Sequence, residues 1–234
     1  MIDTILFDLD GTLLPLDMNR FTALYFQEMG AFFQGIIAPD ELKRSIWAAT
    51  KAMVANLEER TNEAVFMDCF AKLITGDLAL YQEMFQKFYA QRFIKTKDAV
   101  AESPAMRQSV SLLKSKGYRL VIATNPIFPY QAIEQRILWA GFQPDEFLYI
   151  SCYEKNHYCK PQLQFYQEIL ADIGKEASQC LMVGNDVAED LVAGQLGITT
   201  FLITDYLIPA GQGVSQSDYQ GTYQDFYNFV AAKL

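Results

Sequence analysis

The sequence predicts an α/β chain: a parallel sheet with an all-helical segment inserted after its first strand. Three observations carry that expectation. Short, continuously apolar runs alternate with helical stretches through residues 103–203. Residues 15–98 show helical periodicity and no strong strand signal. Polar clusters stand where the apolar runs end, which is where parallel α/β sheets bind ligands.

Residues 4–9 form an apolar run rich in β-formers that stops at Asp10-Gly11, and read as a strand. Continuous rather than alternating hydrophobicity marks a strand covered on both faces. In the segment that follows, Phe21, Leu24, Tyr25 and Met29 open a helical face. The pattern continues through Leu42, Ile46 and Ala49, then Phe66, Phe70 and Leu73, then Met84, Phe85 and Phe88. Turn signals at Gly35, Pro39-Asp40 and Gly76-Asp77 divide these helices. Their aromatic residues read as the segment's own core rather than as a ligand box. Residues 103–116 carry Met106, Val110 and Leu113 on one helical stripe, with Gly117 as the stop. Strands then follow at 118–124, 147–151, 180–184 and 199–203, separated by helices at 129–140 and 162–173 and a short one at 190–196. Residues 205–234, with Tyr206, Tyr219, Tyr223, Tyr227, Gly211 and Gly213, read as a loop and then a terminal helix. The expected division is a core of residues 1–14 and 99–234 and an inserted unit of residues 15–98.

Composition bounds the function classes. The chain has 234 residues, of which 51% are hydrophobic and 20% charged, enough to bury an ordinary core. The formal net charge is −9 and the pI about 4.7. With no basic face visible, neither nucleic acid nor an anionic membrane is an expected partner. No apolar run approaches the roughly 18–20 residues that span a bilayer. The N-terminus lacks a basic region followed by an apolar leader. The four cysteines show no CxxC spacing and read as small hydrophobes in a reduced cytoplasmic interior. Cys152 and Cys159, near His157, are wrongly spaced for zinc. The acidic charge is compatible with a monomer or a homodimer.

The chemistry concentrates at the end of the first run. Asp8 and Asp10 stand two residues apart, and buried carboxylates are unfavourable unless paired or put to use. A turn with capping aspartates is the alternative. The segment Phe7-Asp8-Leu9-Asp10-Gly11-Thr12-Leu13-Leu14 resembles the first motif of the haloacid dehalogenase-like (HAD) hydrolase superfamily. Thr124, ending the run LVIAT, resembles the second motif, and Lys160 in Cys159-Lys160-Pro161 the third. Residues 183–190 (VGNDVAED) resemble the acidic fourth. The motifs stand in the family's order.

The resemblance implies a Rossmann-like core carrying a type 1 helical cap (subfamily I), and a Mg²⁺-dependent phosphatase of a small phosphorylated metabolite. It makes Asp8 the nucleophile that forms an aspartyl-phosphate. Asp10 is then the general acid/base, and its backbone carbonyl a metal ligand. Thr124, Asn125 and Lys160 bind the phosphate. Like charges about 4 Å apart repel by about 4 kcal/mol at an effective dielectric near 20, so cations must offset the meeting of carboxylate and phosphate. Mg²⁺ suits such an oxygen-rich site.

The fourth motif departs from the family pattern. Asn185 stands where an aspartate metal ligand is usual, followed by Asp186. Either Asn185 ligates through its amide oxygen or Asp186 takes over. Asp190 is expected to orient ligands from behind. Glu189 reads as a solvated helix-start carboxylate and His157 as a solvated loop histidine. Residues 14–19 are candidates for substrate choice, and Phe128 for a side chain facing the cap. Other readings are a 2-haloacid dehalogenase, against which Asp10 speaks because a departing halide takes no proton, and a phosphomutase. A reading of another class is a non-catalytic binding or regulatory protein on the same scaffold.

Overall fold

A computed structural model describes residues 1–209 and 216–234. Gly211 and Gly213 of the expected loop lie outside the described residues. The chain opens with β1 (Thr4–Phe7), then α1 (Met18–Phe32), α2 (Pro39–Val54), α3 (Asn62–Ala71) and α4 (Leu78–Gln91). A 3-10 segment, Phe93–Ala99, leads back to α5 (Pro104–Ser115), β2 (Arg119–Ile122), α6 (Tyr130–Ala140), β3 (Tyr149–Ile150) and α7 (Leu163–Ile173). The remaining elements are β4 (Cys180–Gly184), β5 (Thr199–Ile203), β6 (Tyr219–Gly221) and α8 (Tyr223–Lys233).

The strands form one sheet in the order β3-β2-β1-β4-β5-β6, with every neighbouring pair parallel. In β1, Leu6 lies opposite Val121 on one side and Met182 on the other. Successive side chains alternate across a sheet, so this register sorts the apolar residues onto two faces. Ile5, Phe7, Ile122 and Val183 join Met106 and Val110 of α5 and Phe226 of α8. Leu6, Val121 and Met182 join Phe165, Tyr166 and Ile169 of α7. Both faces are covered, which is why the strand sequences carry no polar alternation.

The helix starts are written locally. The side chains of Asp17, Thr61, Asp77 and Ser103 each accept a backbone N–H at the start of α1, α3, α4 and α5. Thr222 and Asp225 cap each other's N–H groups at the start of α8.

Three elements differ from the sequence reading. The run at 4–9 stops pairing at Phe7, because Thr12 and Leu14 donate their N–H groups back to the Leu9 carbonyl (3.2 and 2.8 Å) and turn the chain. The expected helix at 190–196 is a 3-10 segment, Leu191–Leu196. Few residues lie between Asp190 and Gly197, too few to propagate a stable α-helix. Strand β6 was not expected: Tyr-Gln-Gly is short and solvent-facing, a sheet edge with no apolar signature.

The helical insertion leaves and re-enters the core at one place. Leu16 bridges Val100, and Ala101 donates to the Pro15 carbonyl at 2.9 Å. Its far side is fastened to the core as well. Asn62 donates its N–H to the Asn156 carbonyl and Glu63 to that of Tyr153, both at 2.8 Å. Gln162 reaches the Val54 carbonyl at 2.6 Å, and Gln135 that of Tyr89 at 2.7 Å. Four helices are thereby closed over the carboxyl ends of the strands. The insertion's interior is aromatic, with Phe33–Phe85 and Phe70–Phe85 ring centroids 5.1 and 5.3 Å apart.

All four cysteines are free, and three are buried. Burial pushes the thiols of Cys152 and Cys159 up to about 12 and that of Cys180 to about 11, the behaviour of inert packing residues. No helix among the described residues is long and apolar enough to cross a membrane.

Candidate functional site

Past Phe7 the chain needs a bend that no side chain permits at Gly11. That residue has φ +85°, and a Cβ there would lie 2.3 Å from Asn185 Nδ2. The bend presents Asp8 and Asp10 to one cavity of roughly 270 Å³, between the strand ends and the insertion. Thr124, Asn125, Asn185, Asp186, Glu189 and Asp190 line the same cavity.

Lys160 lies beneath this floor, fully buried. Its Nζ donates to Asp8 Oδ1 at 2.9 Å and to Asp190 Oδ1 at 2.6 Å. Burial opposes its charge, but Asp190 and Asp8 outweigh that and hold the ammonium well above the ordinary lysine range. For Asp8, burial raises the carboxyl to about 8, against the pull of Lys160 and with the push of Asp190. One cation shared by two carboxylates leaves Asp8 short of positive charge.

Asp190 is fully engaged. Its second oxygen accepts the Asp186 N–H at 2.9 Å. A Cβ on Gly184 would lie 2.0 Å from that oxygen, so only glycine leaves room for the carboxylate. Asn185 is fixed at both ends of its amide: Thr12 Oγ1 donates to its oxygen at 3.0 Å, and its nitrogen donates to the Tyr206 carbonyl at 2.7 Å. Asp186 Oδ1 accepts the N–H groups of Ala188 and Glu189 at 2.8 and 2.9 Å and so caps its own turn.

The floor thus brings Asp8, Asp10, Thr124, Asn125, Asn185, Asp186 and Asp190 to one cavity, with Lys160 below. Thr124 is buried, and its carbonyl is braced by Ser151 Oγ at 2.7 Å. Asn125 is less free than expected. Its amide donates to both Glu189 oxygens at 3.1 and 3.0 Å, and its oxygen accepts the Lys160 N–H at 3.3 Å. Glu189 accordingly turns inward rather than into solvent. Burial raises its carboxyl to about 7, with Lys160 opposing. His157 turns away from the cavity to Glu168, Nδ1 to Oε1 2.5 Å. Of residues 14–19, Met18 reaches the cavity, and Phe128 lines it as expected.

Two features escaped the sequence reading. The first is Arg136 on α6, buried, lining the cavity and ion-paired with Asp10 Oδ2. Its guanidinium lies over the Phe128 ring, 4.5 Å from the centroid. Among the described residues its Nη2 and Asp10 Oδ1 have no hydrogen-bond partner. Burial raises the Asp10 carboxyl, and the adjacent guanidinium opposes this without reversing it. A signal was present: Arg136 falls at i+4 from Ala132 and i+3 from Ile133, on the stripe that α6 buries. The second is the role of the insertion's aromatics. Phe21, Tyr25, Trp47, Phe66, Phe85 and Tyr89 face the cavity as well as packing together, which corrects their reading as internal core alone.

The floor also has the makings of a cation site. Among the described residues no three His, Cys, Asp or Glu side chains form a ready-made metal cluster. The donors at hand are nonetheless all oxygens: the Asp8 carboxylate, the Asp10 carbonyl, the Asn185 amide oxygen and the Asp186 carboxylate. Mg²⁺ takes such ligands and needs only one or two protein carboxylates beside water and phosphate. The set fits Mg²⁺ in kind.

A family model for haloacid dehalogenase-like hydrolases matches residues 2–197. Solved structures share the fold. A HAD phosphatase from Thermococcus onnurineus is 18% identical with a TM-score of 0.62, covering 98% of each chain. The HAD-hydrolase YfnB from Bacillus subtilis, bound to magnesium, is 21% identical with a TM-score of 0.60, again covering 98% of each. L-2-haloacid dehalogenase from Xanthobacter autotrophicus, with chloropropionic acid covalently bound, is 13% identical with a TM-score of 0.59 over 100% of each chain. At these identities the likeness establishes a common fold. No curated protein matches the chain.

Proposed function

This chain belongs to the haloacid dehalogenase-like hydrolases, and we propose that within them it is a Mg²⁺-dependent phosphatase of a small phosphomonoester. The observation that carries this reading is the 2.9 Å contact of Lys160 Nζ with Asp8 Oδ1, at the floor of a cavity that Asp10 also lines. In this reading residues 15–98 are the cap and the remainder is the catalytic core.

Asp8 attacks phosphorus, forming an O–P bond as the ester P–O bond breaks. The leaving alkoxide takes a proton from Asp10, whose carboxyl burial favours in the protonated form. Water then attacks the aspartyl-phosphate and returns a proton to Asp10 as the bond to Asp8 breaks, releasing phosphate. Lys160 holds Asp8 in place and offsets the incoming anion, and the Thr124 hydroxyl donates to a phosphate oxygen. Asn125 shapes this pocket by tying Glu189 to the Lys160 backbone. Mg²⁺, when held by Asp8, the Asp10 carbonyl and the Asn185 oxygen, supplies the positive charge that Lys160 cannot give to both of its carboxylates. Asp186 is the alternative to Asn185 in that set: the Asn185 oxygen also accepts from Thr12, and Asp186 caps its own turn through Oδ1 alone. Asp190 orients Lys160 and the turn.

The test is phosphate release from a panel of phosphate esters, with and without Mg²⁺. Turnover should require the metal and fall by a factor of about 10⁴ or more in Asp8→Asn. Comparable turnover by that variant overturns the reading.

A second reading draws on the cavity's apolar wall and its guanidinium, which also suit a short halogenated carboxylic acid. Asp8 would then attack carbon and expel halide. Halide release that survives EDTA, without phosphate release from any ester, would favour it.

A further inference from the structure

Above the floor the cavity changes character. The insertion contributes the rings of Phe21, Trp47, Phe66 and Phe85 to its wall. The polar groups on that side are few. Tyr25 and Tyr89 bond their hydroxyls to each other at 2.9 Å, which leaves little for a ligand, and Thr22 and Thr50 add one hydroxyl each. Among the described residues that line the cavity, Arg136 is the one cation, and Asp10 already engages it. Its unpartnered Nη2 offers one donor group to a ligand.

Size and charge together narrow what fits. Roughly 270 Å³ lies just under the range of about 300–1,000 Å³ usual for pockets that enclose drug-sized ligands. A phosphoryl group and one ring, or a short branched chain, fit within it. A second phosphate would be buried against aromatic faces with no free cation, and a polyol's hydroxyls would lose water for few partners, the hydroxyls of Thr22, Thr50 and Tyr153. The rim is apolar too, since Trp47 and Met18 line it while 51% and 41% exposed.

We propose that the leaving group of the substrate is small, uncharged and apolar, an aryl or short branched alkyl alcohol with at most one acceptor for Arg136. The inference rests on the phosphatase reading and narrows it to a substrate class. It sets the chain against sugar phosphates, bisphosphates and nucleotides as preferred substrates.

The experiment measures kcat/KM of the Mg²⁺-loaded enzyme for benzyl phosphate, glycerol phosphate, a hexose bisphosphate and acetyl phosphate. Binding of benzylphosphonate and methylphosphonate, which are not hydrolysed, gives a readout apart from turnover. Benzyl phosphate should exceed glycerol phosphate and the bisphosphate by at least about 100-fold. Benzylphosphonate should bind at least about tenfold more tightly than methylphosphonate. Trp47→Ala, at a half-exposed position, should shrink both preferences. Acetyl phosphate hydrolysis accompanied by a preference for glycerol phosphate or the bisphosphate would overturn the inference and leave the phosphatase reading standing. No phosphate release from any of the four would overturn both.

Discussion

The floor and the wall of the cavity are held by different forces. At the floor each carboxylate has a named partner: Lys160 for Asp8 and Asp190, Arg136 for Asp10, and backbone N–H groups for Asp186. The wall has almost no polar bonds and is kept by stacked and edge-on rings such as Phe21–Phe93 and Phe66–Phe70. Directional bonds among buried charges tolerate little change, because breaking one leaves an uncompensated group. Apolar packing tolerates swaps that conserve volume. A scaffold that fixes reacting groups with the first and contours its substrate space with the second can alter selectivity without disturbing chemistry.

The most forceful way to break this comparison is to remove the floor's cation. Lys160→Met should lower stability by about 3–5 kcal/mol by stranding Asp8 and Asp190, whereas Phe66→Leu in the wall should lose only about 1–2 kcal/mol. Denaturant unfolding of the two variants decides it, and equal losses would erase the distinction.

A second prediction uses pH. The Glu189 carboxyl stands at about 7 in the folded protein against an ordinary value of 4.5. Below pH 4.5 both folded and unfolded forms hold the proton. As pH rises from 4.5 to 7 the unfolded chain gives it up first, so stability falls across that window. Glu189→Gln should flatten this fall by on the order of 2 kcal/mol, read as melting temperature against pH in metal-free protein. An unchanged slope would mean the carboxylate is better solvated than its burial suggests.

A third sharpens the ligand assignment. Asn185→Asp adds a negative charge among the oxygen donors and should tighten Mg²⁺ binding by about tenfold, measured as the metal concentration for half-maximal turnover. The mildest concerns the bend behind Asp8. Tyr223 donates to the Gly11 carbonyl at 2.8 Å, and Tyr223→Phe should lose about 1 kcal/mol with a small loss of kcat.

The two regions also differ in how far the sequence disclosed them. Floor residues lie in short segments at the ends of apolar strands, and a carboxylate there announces itself because burial makes it unfavourable without a purpose. Asp8 and Asp190 come together near such ends, whereas Lys160 lies ten residues beyond β3 and would read as a solvated loop lysine without its resemblance to the family's third motif. Arg136 left little mark because the stripe that α6 buries is otherwise apolar and a single charge hides in a 3.6-residue period. Thr12 and Tyr206 hold Asn185 through contacts distant in sequence, for which local pattern carries no mark. The wall was legible as helix but not as cavity. An aromatic at helical spacing buries itself equally well against a neighbouring helix or against a substrate, and periodicity does not distinguish the two. Strand β6 left no trace, since an edge strand is specified by its partner's free backbone more than by its own side chains.

The Tyr223 bond joins residues 212 positions apart. At roughly 5–20 residues per second, a ribosome that has made the Gly11 loop needs about ten to forty seconds more before the tyrosine that clasps it exists. For that interval the nascent protein carries Asp8 beside a bend whose last fastening has yet to be made. The clasp is thus a late event of synthesis, and at about 1 kcal/mol a finishing touch rather than the bend's main support.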